Sequence, residues 1–504
     1  MKPRAFLIFS STIAFCFAAL SLVSDPVAFF SGNSMPAGGA VLAQTAPAKP
    51  LSANDVSWLF PKPTSLDDLI SMADLKARGK PVWSNAAFRQ LLSIASGPAG
   101  RVAGTNRGIE LPPNVRAKRA WYVASVRFDP SAPGFSNGIR EQFGQELQIR
   151  LVVQPVRRER DGTIKVHDIA VHLVFEFDSG IYKLPAQRGC MPQPQPDLAL
   201  TNKLMRELVE LRAKLGEDVT YGKPLGVHPG LNNPTTARTV RQAMKRLLER
   251  HLSNQHLGFM TIAAIQGDPP GREDVTKRWI FMGTVNVAVH PEVPNPNSRR
   301  SGFVALPAAA LDGQQYAQMF SENNALQNRV VPTPYANNGF DGSTIPFAIT
   351  CHNASNRVAG PPIDRRIGSA TSDILNKRRL IALPPPNEDD PENEAVRKLL
   401  DIVANPDRSH VFNTDCVSCH TETTIFQDRF NDPIPGIDPS ALPGDNRYNM
   451  RAFGWAPQRF ENDGQITEIV RPTVTRRTAH ETAKVVDFVN RMLFPNSAIA
   501  PNTE

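Results

Sequence analysis

Lys165-Val166-His167-Asp168-Ile169-Ala170-Val171-His172-Leu173-Val174-Phe175-Glu176-Phe177 is the strongest strand signal in the chain. His167, Ile169, Val171, Leu173, Phe175 and Phe177 fall at every second position, so an extended backbone puts them on one face. His167 and His172 stand five apart and therefore face opposite sides of such a strand, which rules out one metal chelated by both. Both read as structural residues. Arg119 to Phe128, Gln148 to Val156, Leu257 to Ile265 and Trp279 to Val289 read as further strands. Two helices interrupt them. Leu204, Leu208, Leu211 and Leu215 form one apolar stripe, closed by Gly216, and Val240, Met244, Leu247 and Leu248 form another. Strands outnumber helices at irregular spacing, so residues 44–383 are expected to be an α+β, β-rich region and not an alternating parallel sheet. No repeat of propeller or solenoid period is present.

The chain divides at Pro384-Pro385-Pro386-Asn387-Glu388-Asp389-Asp390, where three prolines and a run of acids suit a linker over 384–391. Residues 300–383, rich in Asn, Pro and Gly, read as loop or a loop-rich subdomain. Cys351-His352 sits there after a short strand candidate, Ile345 to Thr350, without the further His or Met that a copper set needs. Residues 392–504 read as a small helical domain. Val396, Leu399, Leu400 and Val403 give its first helix, Glu394 to Ala404. Its last opens at Thr478-Ala479-His480-Glu481, a capping box, and carries Val485, Phe488, Val489 and Met492 on one face before Pro495 stops it.

With 504 residues and 41% hydrophobic content the chain can build two or three domains with a substantial core. The net charge of +8 does not point to nucleic acid, because no dense Lys/Arg cluster with interleaved aromatics occurs. From Pro391 onward there are 12 basic and 16 acidic residues, so the positive charge belongs to the body upstream. At the other end, Lys2 and Arg4 precede an apolar, uncharged run from Ala5 to Val23. A small-residue stretch then ends at Val41-Leu42-Ala43. That order is a secretory signal over 1–43 with Gln44 as first mature residue; an uncleaved amino-terminal anchor is the alternative. No other segment reads as a membrane span. A periplasmic or secreted location follows, and there Cys190 and Cys351 can pair as a disulfide, with two separate thiols as the alternative.

The chemistry is concentrated in Cys416-Val417-Ser418-Cys419-His420. Two thiols three residues apart can add to the two vinyl groups of one haem, and the following imidazole can then reach the iron from the same side. A bare Cys-x-x-Cys also suits zinc or dithiol exchange. The five residues together, in an exported chain with no second Cys-x-x-Cys, point to one covalent haem c.

The segment after the linker resembles the class I cytochrome c domain. Phe412 stands four residues before Cys416, Thr421 follows the haem histidine, Phe488 lies on the last helix, and Met450-Arg451-Ala452-Phe453-Gly454 resembles the Met-Pro-Ala-Phe ligand loop with Arg for Pro. The resemblance implies a small all-α haem domain in which His420 and Met450 are the axial ligands of the iron. It also implies that the carbonyl of Pro433 or Pro435 receives the His420 Nδ1–H. Met492 is the lesser methionine candidate, better explained by core packing, with His410 and His480 behind it. His/Met ligation suits single-electron transfer with redox partner proteins; an open iron would suit ligand or peroxide chemistry. The expectation is therefore an exported monohaem electron carrier fused to a large amino-terminal region of unknown role. Two alternatives stay open: an oxidoreductase whose amino-terminal region feeds electrons to the haem, and a surface or binding module with a haem domain attached.

Overall fold

The computed structural model describes residues 49–97, 111–132, 134–135, 145–183, 193–266, 278–286, 288–289, 302–305, 391–407, 416–430, 432–444, 451–462 and 465–494. The signal segment, residues 384–390 of the linker, Cys190, Cys351, His410 and Met450 lie outside these, while Pro391, the expected last linker residue, opens a helix. Ala48–Glu504 forms one compact unit.

The period-two segments build an antiparallel sheet of nine strands: β1 (Ser57–Leu59), β2 (Trp121–Ala132), β3 (Glu146–Arg158), β4 (Ile164–Val166), β5 (Ile169–Lys183), β6 (Gln193–Pro196), β7 (Leu257–Gln266), β8 (Arg278–Asn286) and β9 (Phe303–Ala305). The main path runs β1-β2-β3-β5-β7-β8-β9, with β4 added to β3 and β6 to β5. The α+β class with antiparallel pairing is thus as expected. The opening stretch is not one strand, however: it breaks at His167-Asp168. Pro155 of β3 has no N–H to give a ladder, and its carbonyl instead accepts from the His167 amide at 2.9 Å. β4 pairs with β3 before this point, at Val156↔Val166, and β5 pairs with it after, at Val153↔Val171.

One face of the sheet is apolar. Val126, Phe128, Ile149, Leu151, Val171, Leu173 and Phe175 are fully buried there in the main core. Helices α1 (Asn85–Ser96), α2 (Leu198–Leu215) and α3 (Pro234–His251) contribute Leu91, Leu204, Leu208, Met244 and Leu248 to the same core. Local chemistry sets the helix ends. The side chains of Ser84, Asp197 and Asn233 accept amide hydrogens of the first turns. Gly216 closes α2 at φ +97°, a conformation that a side chain disfavours.

The opposite face is polar along β2 and β3, and the carboxy-terminal segment covers it. That segment comprises α4 (Pro391–Ala404), α5 (Cys416–Phe430), the hairpin β10 (Phe453–Asn462) with β11 (Gln465–Val474), and α6 (Arg476–Leu493). The hairpin departs from the all-α expectation for 392–504, and the segment is not free-standing. Gln154 makes a two-way bond with Trp455, its amide donating to the carbonyl at 2.8 Å and its oxygen accepting the N–H at 2.7 Å. Ser125 donates to the Phe453 carbonyl at 2.8 Å. A Cβ on Gly454 would stand 2.7 Å from the Gln154 amide oxygen, so glycine is what lets this backbone lie on the sheet. Arg127 pairs with Asp129 of its own strand and with Glu481 of α6. Burial alone would raise Glu481, but Arg127, Arg477 and Arg150 outweigh it and hold the carboxyl well below the usual range.

The amino-terminal end is fastened by His228. Its ring stacks on Trp58 with centroids 3.7 Å apart, and its Nδ1 accepts from the Gly230 amide at 3.1 Å. Burial pushes the imidazole down to about 3.

Two outcomes follow. Gln154→Ala strands a buried N–H and a buried C=O on Trp455 and should cost about 2–4 kcal/mol in urea unfolding. His228, neutral when folded, contributes stability that is complete above 6.5 and lost as pH falls toward about 3. The dependence should reach about 1.4 kcal/mol per pH unit in that window. His228→Asn, which keeps an acceptor for Gly230, should flatten the slope; an unchanged slope would mean that other groups set it.

Candidate haem site

Helix α5 opens at Cys416, so Cys416, Cys419 and His420 occupy positions i, i+3 and i+4, which share one helix face. The side chains of the two cysteines lie outside the described residues; that of His420 is half-buried. Behind the motif the helix is firmly seated. Ile425 and Phe426 enter a second core with Val396, Leu400 and Val403 of α4, Ile434 and Ile437 of the loop after α5, and Phe453 and Val474 at the base of the hairpin. That loop carries Pro433 and Pro435 and is pinned at Leu225, whose amide donates to the Gly436 carbonyl at 2.8 Å.

Arg476, first residue of α6, ties the two helices together. Its amide donates to Thr423 Oγ1 at 2.8 Å and its guanidinium to Glu422 at 2.8 Å. The same guanidinium pairs with Asp401 and lies 3.8 Å over the Phe426 ring. Burial pushes the Glu422 carboxyl up to about 7 in spite of that guanidinium. The helix start differs from the capping box expected at Thr478 and Glu481. Thr475 is the N-cap, and its side chain accepts from the Thr478 amide. Glu481 instead turns to Arg477 and Arg127. Two threonines three residues apart both offer a cap; the earlier one takes it, and Arg476 beside it reaches Glu422.

Across from the haem motif stands a row of the sheet. The register Ser125↔Val152↔His172↔Thr261 aligns residues of β2, β3, β5 and β7 that share one face. The start of β10 rests on this row: Ser125 holds the Phe453 carbonyl, and a Cβ on Gly454 would touch Val152 at 3.5 Å. His172 and His420 face each other there, ring centroids 6.5 Å apart and planes inclined by 50°. Burial first, then His420, Arg451 and Arg150, push the His172 imidazole down to about 3, so the ring is neutral at neutral pH. Arg451 pairs with Asp168, just before β5, at 2.6 Å.

The remaining candidates sort as follows. Met450 precedes Arg451 and lies outside the described residues, as do Cys190, Cys351 and His410. Met492 packs against the main core. His480 donates from Nδ1 to the Ala404 carbonyl at 3.0 Å. His172, read from sequence as structural, is brought up to His420 by the fold. The available signal was an imidazole in the most apolar strand, one position out of phase with its core-facing residues. Among the described residues no group of three or more His, Cys, Asp or Glu side chains forms a metal site, and no helix is long and apolar enough to cross a membrane. No protein-family model, curated protein or solved structure matches the chain.

A covalent haem needs two thiols and a nitrogen on one side of the ring and tolerates or requires a donor on the other. The helix positions of 416, 419 and 420 meet the first demand, and a neutral imidazole opposite meets the second. These residues fit the group. The seating of α5 is testable through Arg476: Arg476→Met removes the partner of a buried carboxyl and should destabilise by about 3–5 kcal/mol. Adding Glu422→Gln should restore part of that loss, measured as a double-mutant cycle.

Proposed function

We propose that the chain is an exported monohaem c-type cytochrome that carries single electrons between redox partner proteins. The observation that carries this reading is the Cys-x-x-Cys-His segment opening a well-seated helix, with its three reactive positions on one helix face. Cys416 and Cys419 would hold the haem through thioethers. Each thiol adds across a vinyl C=C, sulfur to one carbon and hydrogen to the other, so no leaving group or oxidant is required. His420 would be the proximal ligand. Met450 is the sixth ligand that the cytochrome resemblance implies.

When bound, the haem supplies a one-electron Fe(III)/Fe(II) couple whose potential depends on axial ligand, burial and nearby charge. The chain's own contribution is to orient and shield. Arg476, Glu422 and Thr423 hold α5 against α6, Ile425 and Phe426 anchor its apolar side, and His172 of the sheet stands across from His420. The acidic balance after Pro391 against a basic body gives the surface a charge asymmetry that suits steering of charged partners. The mature protein would reside in the periplasm or outside the cell, where thioether attachment takes place.

The test is expression of the full chain with a c-haem assembly system, followed by a pyridine haemochrome spectrum. One thioether-bound haem per chain is expected, with attachment lost in the Cys416→Ala, Cys419→Ala double variant. Covalent haem persisting in that variant, or zinc with no haem in the wild type, would overturn the reading.

A further inference from the structure

We propose that His172, on the central strand of the sheet, is the second axial ligand of the haem, opposite His420, in place of Met450. This inference rests on the haem reading above. An imidazole nitrogen binds a first-row metal ion at about 2.0–2.1 Å, and the nitrogen lies about 1.1 Å from the ring centre, so two trans imidazoles on one iron have centroids about 6.3 Å apart. His172 and His420 stand at 6.5 Å. The spacing that two ligands of one iron need is thus already present in the protein.

Competing donors among the described residues are committed elsewhere. His480 bonds the Ala404 carbonyl, Met492 is packed in the main core, His251 bonds Glu207, and His228 stacks on Trp58. No hydrogen bond to the His172 ring occurs among the described residues. Its backbone is paired on both sides, by Val152 of β3 and Thr261 of β7, which fixes its place in the row. The row is also the one on which the backbone of Phe453 and Gly454 rests. The backbone of Phe453 and Gly454 is thereby held over β2 and β3, the latter paired directly with the strand that presents His172, so the sheet would form one wall of the haem site.

The experiment uses the full chain, matured with haem, and reads its axial ligands by spectroscopy. A ferric bis-imidazole haem lacks the weak near-infrared sulfur-to-iron band of His/Met ligation and gives a low-spin electron paramagnetic resonance spectrum. The wild type should show the second pattern and not the band. His172→Met should introduce the band and shift the midpoint potential upward, since methionine ligation raises it. His172→Ala should convert the iron to high spin or to a new low-spin species. Met450→Ala should leave the ligand spectrum as in the wild type. A wild-type band that disappears in Met450→Ala and survives in His172→Ala would overturn the assignment while leaving the haem reading intact. Absence of covalent haem from the wild type would instead overturn both. If the His172 variants fail to fold, a His/Met band in the wild type would still overturn the assignment, and a bis-imidazole spectrum retained in His410→Ala and His480→Ala would support it.

Discussion

A sheet with one apolar and one polar face has to bring polar partners to its second side. Gln154 and Ser125 are fully buried, and a buried amide or hydroxyl left without partners costs on the order of 1–3 kcal/mol. Their partners are the backbone groups of Phe453 and Trp455, some three hundred positions later in the chain. Backbone groups are an effective choice because they are rigid and leave no side-chain freedom to lose. The approach works only with glycine at 454. The described elements after Pro391 are linked through this contact: the hairpin meets α6 at Thr475, α6 holds α5 through Arg476, and α5 carries the Cys-x-x-Cys-His segment.

Much of the sheet was legible because its buried face obeys the period of the strand. Five strand cores and both apolar helix stripes follow from alternation and three-to-four spacing alone. The hairpin was not legible. Phe453-Gly454-Trp455-Ala456-Pro457 and Ile466 to Val474 have no clean alternation: Trp455 enters the main core while Phe453 and Val474 enter the second. The break at His167-Asp168 escaped for a related reason: it is imposed by Pro155 on the neighbouring strand, and no pattern within residues 165–177 records it. The cap lies at Thr475, three residues before the expected Thr478, where Thr475 accepts the Thr478 amide and Arg476 meets Glu422 on another helix.

The site divides in the same way. Cys416, Cys419 and His420 are adjacent in sequence, so spacing alone displays them. His172 is 248 positions upstream of His420 and meets it only through the sheet register and the docking of the carboxy-terminal segment. Alternation put it on the face opposite the apolar one, and its structural reading gave no reason to single it out. On a sheet covered on both sides, the second face is an interior too.

This explains why a haem in this protein would be a joint and not an appendage. Closing a loop of some 250 residues with a metal link costs conformational entropy that grows only logarithmically with length. Here that closure is already accomplished by Gln154 with Trp455, Ser125 with Phe453, and Arg127 with Glu481. Ligation by His172 and His420 would therefore draw on a pre-formed distance of 6.5 Å with little further ordering. By reciprocity, whatever the ligands gain from the docked sheet, the docking gains from the ligands. Haem loading and the contact between Gln154 and the hairpin would then be two faces of one equilibrium. The body of the protein would take part in setting the iron's environment through a strand paired on both sides.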